Sequence, residues 1–313
     1  MTKPLKDYGI NELFNGTLLI TDANTGVAGN GNRYLTLYLA DKTGETEAKV
    51  WSSTPQIEAT LTPGTVVKID GSTHEYQSKM QIRISNIVPV EGADPSDYVS
   101  GAPIEKEVLR RYLANALDSI ENETLQALTS TLVTQYGEDV MNYPAAKRVH
   151  HNYASGLAHH IYGMLKLADA VCTEHSAINR DLLTAGIILH DLGKIDEYTG
   201  VVGTDFTLEG QLIGHISIMH EQIGVVARSL GLEKEKETLL LKHVVLAHHG
   251  KLEYGSPTRP RIIEAEVLHQ IDMLDANINV LEKALGQTKV GEFTDKVWSL
   301  DNRKFLHHGL SEQ

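Results

Sequence analysis

Ala185-Gly-Ile-Ile-Leu-His-Asp-Leu-Gly-Lys194 is an apolar run that stops abruptly at an imidazole and a carboxylate, then a glycine and a lysine. Adjacent side chains on a helix do not face each other, so His190 and Asp191 can share an ion only where several helices converge. The chain offers partners for such a site. His160 ends the stretch Gly156-Leu-Ala-His-His160, and downstream come His215, the pair His248-His249, and Asp272 with Asp275 one turn later. Imidazoles combined with carboxylates suit Mn, Fe, Co, Ni or Zn better than Ca or Mg alone. A carboxylate flanked by histidines suits two metals that activate a water. Asp191, next to a histidine on a rigid element, is the natural bridge. A lone histidine on an apolar helix face is more often a hydrogen-bonded core residue, and His-Asp pairs arise by chance. It is the set, drawn from five separate elements, that points to a metal centre in the core of a helical bundle. Lys194, three residues after Asp191, reads equally as a phosphate contact or a helix cap. His150, His151, His159, His220, His243 and His269 are not expected as direct ligands, and His307-His308 reads as a solvated pair.

Working outward, the helical period extends over most of the second part of the chain. Helices are expected at 104–120, 124–136, 153–174, 180–190, 214–230, 235–248 and 261–285, with an irregular tail over 291–313. Residues 91–103 carry Pro95 and Pro103 among Gly, Asp and Ser and read as a linker. Before that linker the period is two. Arg33-Tyr-Leu-Thr-Leu-Tyr-Leu39 alternates strictly, with Leu35, Leu37 and Leu39 on one face and Tyr34, Thr36 and Tyr38 on the other. Strands are expected at 14–21, 33–39, 45–51, 65–69 (continuing raggedly to 76) and 80–88. A loop is expected at 22–32, a turn at 41–44, and a connector with a helical turn at 54–61. Five short strands with one mid-chain connector suit a small Greek-key barrel, the OB-fold. The expected architecture is therefore multidomain α and β. A five-stranded OB-fold barrel at 1–90 precedes the linker, an all-α domain at 104–290 and the tail. Tyr34, Tyr38, Lys49 and Trp51 share the outward face of the second and third strands, where OB barrels stack nucleic-acid bases on aromatics. The competing role for those aromatics is packing within the protein.

Composition narrows the classes. At 313 residues, with 41% hydrophobic and 22% charged residues, the chain is long enough for two domains of ordinary globular make-up. A net charge of −13 argues against a protein that coats duplex nucleic acid through a broad basic face. It leaves room for an enzyme that threads one strand past metal ions, which supply local positive charge among carboxylates. Fifteen histidines are an excess, and the single cysteine, Cys172, rules out an internal disulfide. With no signal-peptide-like or membrane-length apolar segment, a cytoplasmic location is expected, with no membrane partner.

The motifs together resemble a known family. The helical half resembles the HD-domain phosphohydrolases. The whole chain is similar to the YhaM family of bacterial 3′–5′ exoribonucleases, also described as CMP-binding factors. The resemblance rests on His150-His-Asn-Tyr-Ala-Ser-Gly-Leu157, Gly186 to Lys194, Thr207-Leu-Glu-Gly210, Gly214-His-Ile-Ser217, His248 to Pro257, and Glu264 to Ala276. It implies a divalent-metal-dependent nuclease with two ions. Manganese is the foremost candidate, with cobalt, iron, nickel, zinc and magnesium as alternatives. Carried over by position, His160, His190, Asp191 and Asp272 form the first metal site, and His215 with His248 or His249, sharing Asp191, the second. Asp191 and Lys194 are the residues implied in catalysis, and single-stranded RNA is the implied substrate, extending to single-stranded DNA. Self-association is left open. Two rival functions remain at this stage: a phosphohydrolase of nucleotides or cyclic dinucleotides, and a non-catalytic DNA- or RNA-binding factor. Tyr254-Gly-Ser-Pro257 stands where cyclic-dinucleotide hydrolases of the HD class carry Gly-Tyr-Pro, which lowers the first.

Overall fold

The computed structural model describes residues 3–29, 31–76, 79–99, 101–146, 153–201 and 204–310. They divide into two compact units, one of residues 1–101 with 199–205 and one of 102–198 with 206–313.

The first unit is a closed barrel of five strands, β1 (Leu13–Val27), β2 (Arg33–Asp41), β3 (Gly44–Trp51), β4 (Val66–Tyr76) and β5 (Lys79–Pro89), in the order β1-β2-β3-β5-β4. Neighbours are antiparallel except β3 and β5, which close the barrel in parallel through Glu47–Gln81, Ala48–Ile82 and Lys49–Arg83. The alternation read from 33–39 has its physical reason here. Leu35, Leu37 and Leu39 fill the interior with Leu18, Ile20, Ala48, Val67, Ile69 and Ile82. The connector is a short helix, α1 (Pro55–Thr60), whose N-terminus is capped by the Thr54 hydroxyl accepting from the Ile57 amide.

One expectation failed. Asp22–Val27, taken as loop, continues β1 and pairs with β2 out to Val27–Arg33 after a register shift between Ile20 and Asp22. Asn, Thr and Gly at 24–26 have weak strand preference, but cross-strand partners outweigh it. Gly26 lies opposite Tyr34, and a β-carbon at Gly26 would overlap the tyrosine ring, so the ring covers a strand position that only glycine fits.

The second unit is helical: α2 (Lys106–Asp118), α3 (Glu123–Tyr136), α4 (Asp139–Asn142), α5 (Gly156–Glu174), α6 (Arg180–Leu189), α7 (Lys194–Glu197), α8 (Leu208–Leu212), α9 (His215–Leu230), α10 (Lys236–Ala247) and α11 (Ile263–Gly286). The short helices α4, α7 and α8 were not expected; each is under two turns and leaves no periodic signal. α6 is buried from Leu182 to Leu189. It shares one hydrophobic core with Leu157, Ile161 and Met164 of α5, Met219 and Ile223 of α9, Val244 of α10 and Leu268 of α11. Gly186 lets α6 approach α10, because a β-carbon there would overlap Val244. The tail carries bridges Phe293–Leu306 and Val297–Arg303 around a 3₁₀ turn at Trp298–Leu300. Among the described residues no helix is long and apolar enough to cross a membrane.

Candidate metal centre and nucleic-acid face

The helix ends of the second unit converge on one buried cluster. His160 lies in α5; His190 and Asp191 follow α6; Lys194 opens α7; His215 opens α9; His248 and His249 follow α10; Asp272 sits in α11. His190 and His248 are fully buried, and Asp191 nearly so. Two groups of donor atoms result. His160, His190 and Asp272 each offer a ligand atom within 4.8 Å of the others, and so do His215, His248 and His249. Asp191 stands between them: Oδ2 is 3.4 Å from His190 Nε2, while Oδ1 is 3.4 Å from His215 Nε2 and 3.7 Å from His248 Nε2. The fold thus brings together all seven metal-ligand candidates. His150 and His151 lie outside the described residues.

The hydrogen bonds fix how the imidazoles present themselves. Each of the five spends its Nδ1–H on a protein acceptor. His190 donates to Ile187 O at 2.8 Å, His248 to Val245 O at 2.7 Å and His249 to Tyr254 O at 2.7 Å. His160 donates to Asp275 Oδ2 at 2.7 Å, and His215 to Glu197 Oε1 at 3.0 Å. With Nδ1 committed, the opposite nitrogen is the one left to a ligand, and Nε2 of His190, His215 and His248 turns toward Asp191. Among the described residues, His190 Nε2, Asp191 Oδ1, His215 Nε2 and His248 Nε2 are buried and find no hydrogen-bond partner. Buried polar atoms left without partners are costly and call for an explanation, and a divalent cation in each group supplies one. The residues present therefore fit the metal that the motif implies.

Electrostatics agree with that fit. Burial, then His249 and His190, holds His248 well below the usual imidazole range, and burial with His215 lowers His249, so both are neutral donors at pH 7. Burial alone would raise Asp191, but Lys194, His190 and His215 hold it well below the ordinary carboxylate range. Burial opposes charge on His160 as well, yet Asp272 and Asp275 outweigh it and push the ring up to about 10. Lys194 is buried and gives two of its three donors to Asp191 Oδ2 and Ala145 O, each at 2.7 Å. Its first partner is thus the carboxylate that lies between the two groups.

Three residues at the site were not picked out from the sequence. Asp275 had been noted only as the neighbour of Asp272. Glu197 follows Asp191 by six residues with no helical pattern to mark it. His269 donates from Nδ1 to His248 O at 3.0 Å, and its ring occupies the space a β-carbon at Gly250 would need.

On the barrel, Tyr34 and Trp51 are directly opposed across β2 and β3, with ring centroids 5.3 Å apart. The Lys49 ammonium stands 5.3 Å from the Tyr34 centroid and 5.8 Å from that of Trp51. Arg83, absent from the sequence reading, pairs with Lys49 across the parallel closure. Tyr38 is on the same face but opposite Glu47 and paired with Asp22, so its surroundings are acidic. Trp51 is 62% exposed.

Known proteins match both parts. The HD domain family model matches residues 157–277, and the OB-fold nucleic acid binding domain model matches residues 19–90. Two solved structures of replication protein A domains from Methanococcus maripaludis, one titled the second OB-fold domain, align with 30% and 29% of this chain. They match over 98% and 97% of their own length, at 17% and 18% identity and a TM-score of 0.24. The 3′–5′ exoribonuclease YhaM of Oceanobacillus iheyensis is 44% identical over 306 residues, 97% of this chain and 96% of the relative. With barrel, buried histidine–aspartate cluster and near-complete alignment in agreement, the chain belongs to the YhaM family of 3′–5′ exoribonucleases.

Proposed function

We propose that this protein removes nucleotides from the 3′ end of single-stranded RNA by hydrolysing phosphodiester bonds, using two divalent metal ions, with manganese the preferred one. The observation that carries this reading is the set of five imidazoles whose Nδ1–H groups are all committed, three of which turn Nε2 to Asp191. His160, His190 and Asp272 hold one ion, and His215, His248 and His249 the other, with Asp191 facing both. Bound divalent cations neutralise phosphate charge and make water a nucleophile at neutral pH.

The protein's own groups do the rest. Lys194 keeps Asp191 ionised and oriented, and its remaining N–H is available to a phosphoryl oxygen. Neutral His248 and His249 offer lone pairs without first losing a proton. On the barrel, Tyr34 and Trp51 stack bases, and Lys49 and Arg83 meet the backbone phosphates. Such stacking does not read the sugar, so the face accepts single-stranded DNA as well.

The test is digestion of 5′-labelled and 3′-labelled single-stranded RNA by manganese-loaded protein, with and without chelator. A descending ladder from the 5′ label, immediate release of label as mononucleotide from the 3′ label, and silence under chelator are expected. Internal cuts, shortening from the 5′ end, or chelator-resistant cleavage would overturn the proposal.

A further inference from the structure

Of the five imidazoles at the cluster, three are oriented by peptide carbonyls and two by carboxylates, one in each group. In the first group, His160 Nδ1 donates to Asp275 at 2.7 Å while its Nε2 lies 3.2 Å from Asp272. One ring is thus gripped from both sides by acids one helical turn apart on α11. The space for Asp275 is built into α5: a β-carbon at Gly163 would overlap its carboxylate oxygen. In the second group, one oxygen of Glu197 accepts both the backbone N–H and the Nδ1–H of His215, each at 3.0 Å. Glu197 is itself 6% exposed, and the chain packs against it so closely that a β-carbon at Gly210 would overlap its peptide carbonyl. Gly214, at φ +78°, makes the turn that brings His215 to it.

We propose that Asp275 and Glu197 are the positioning carboxylates of the centre, one behind each metal. A carboxylate behind an imidazole fixes ring and tautomer and strengthens the donor at the opposite nitrogen, and losing it typically lowers metal affinity or activity 10–100-fold, by roughly that factor. Peptide carbonyls fix the other three rings without added charge. His160 and His215 are accordingly the strongest imidazole donors of their groups, and each ion is anchored through one of them.

This inference rests on the metal-dependent reading above, and the experiment separates the two. Manganese affinity is measured by titration calorimetry and by the Mn²⁺ paramagnetic resonance signal on metal-stripped wild type, Asp275→Asn, Glu197→Gln and Gly163→Ala, with melting temperatures of the same preparations. Asparagine and glutamine keep a hydrogen-bond acceptor and remove the charge. Each of those variants is expected to weaken one manganese site about 10–100-fold and leave the other within about threefold. Gly163→Ala, which adds a good helix former and displaces the carboxylate, is expected to reproduce Asp275→Asn in the same site and keep a cooperative melt. If wild type binds manganese at two sites and all three variants match it, the positioning role is overturned. If wild type itself binds none, the metal-dependent reading fails instead. Loss of affinity in the carboxylate variants with wild-type affinity in folded Gly163→Ala would overturn the seat assigned to Asp275.

Discussion

At the scale of single residues, Asp191 and Lys194 are a buried ion pair whose members do different work. Removing one partner of such a pair strands the other charge and costs about 3–5 kcal/mol. Asp191→Ala is therefore expected both to abolish RNA hydrolysis and to lower the melting temperature. Asp191→Asn combined with Lys194→Met removes both charges and should recover most of the stability and none of the activity. Thermal melts beside a manganese-supported RNA digest check this, and near-normal activity in either variant would contradict the role of Asp191. Two histidines set an opposite pair of pH dependences in the metal-free protein. His160 is raised from 6.5 to about 10, so its stabilising contribution is complete below pH 6.5 and is lost as pH climbs toward 10. His248 is held below 6.5 by burial, so its contribution is present above that value and is lost on acidification. The two overlap best near pH 6.5, about the unfolded imidazole value. Metal binding through His160 at neutral pH must displace its proton. Calorimetric titration at pH 7 in buffers of different ionisation enthalpy should show at least one proton released per chain; none released would mean that His160 is not a ligand.

At the scale of elements, the barrel face separates stacking from support. Trp51 is largely exposed, so Trp51→Ala should cost about 1–3 kcal/mol in affinity for single-stranded RNA and shift the melting temperature little. Tyr34 also covers Gly26, so Tyr34→Ala should lower both. Tyr38→Ala, beside Glu47 and Asp22, should cost the least affinity. Filter binding and melts on the same preparations decide, and a Trp51 variant with unchanged RNA affinity would remove the stacking role. These elements also show what a sequence can and cannot carry. Strands 33–39 and 45–51 were legible because each buries one face, and period-two burial writes itself into the residue order. Asp22–Val27 was not, since its strand character comes from Tyr34 and Thr36 across the hairpin. Histidines and aspartates in or flanking the long helices α5, α6, α9, α10 and α11 stood out by residue type. The carboxylates behind them did not. Glu197 lies in a helix of four residues, and Asp275 meets His160 across 115 positions of chain, a pairing that only the packing of α5 on α11 creates.

At the scale of the whole molecule, two units have separate hydrophobic cores, and under the proposed function one holds the strand and the other cuts it. A fragment starting at residue 102 should keep manganese binding and cleavage of very short oligonucleotides, and should lose affinity for long strands; equal affinity of fragment and full chain for a long RNA would leave the barrel without a gripping role. The account as a whole stands on metal ions at the convergence of the helices. Anomalous diffraction at the manganese edge, from crystals of the full chain grown with Mn²⁺, tests that most directly. Two peaks are predicted, one among His160, His190 and Asp272 and one among His215, His248 and His249, with Asp191 between them. No peak in that cluster, or manganese bound only elsewhere on the chain, would contradict it.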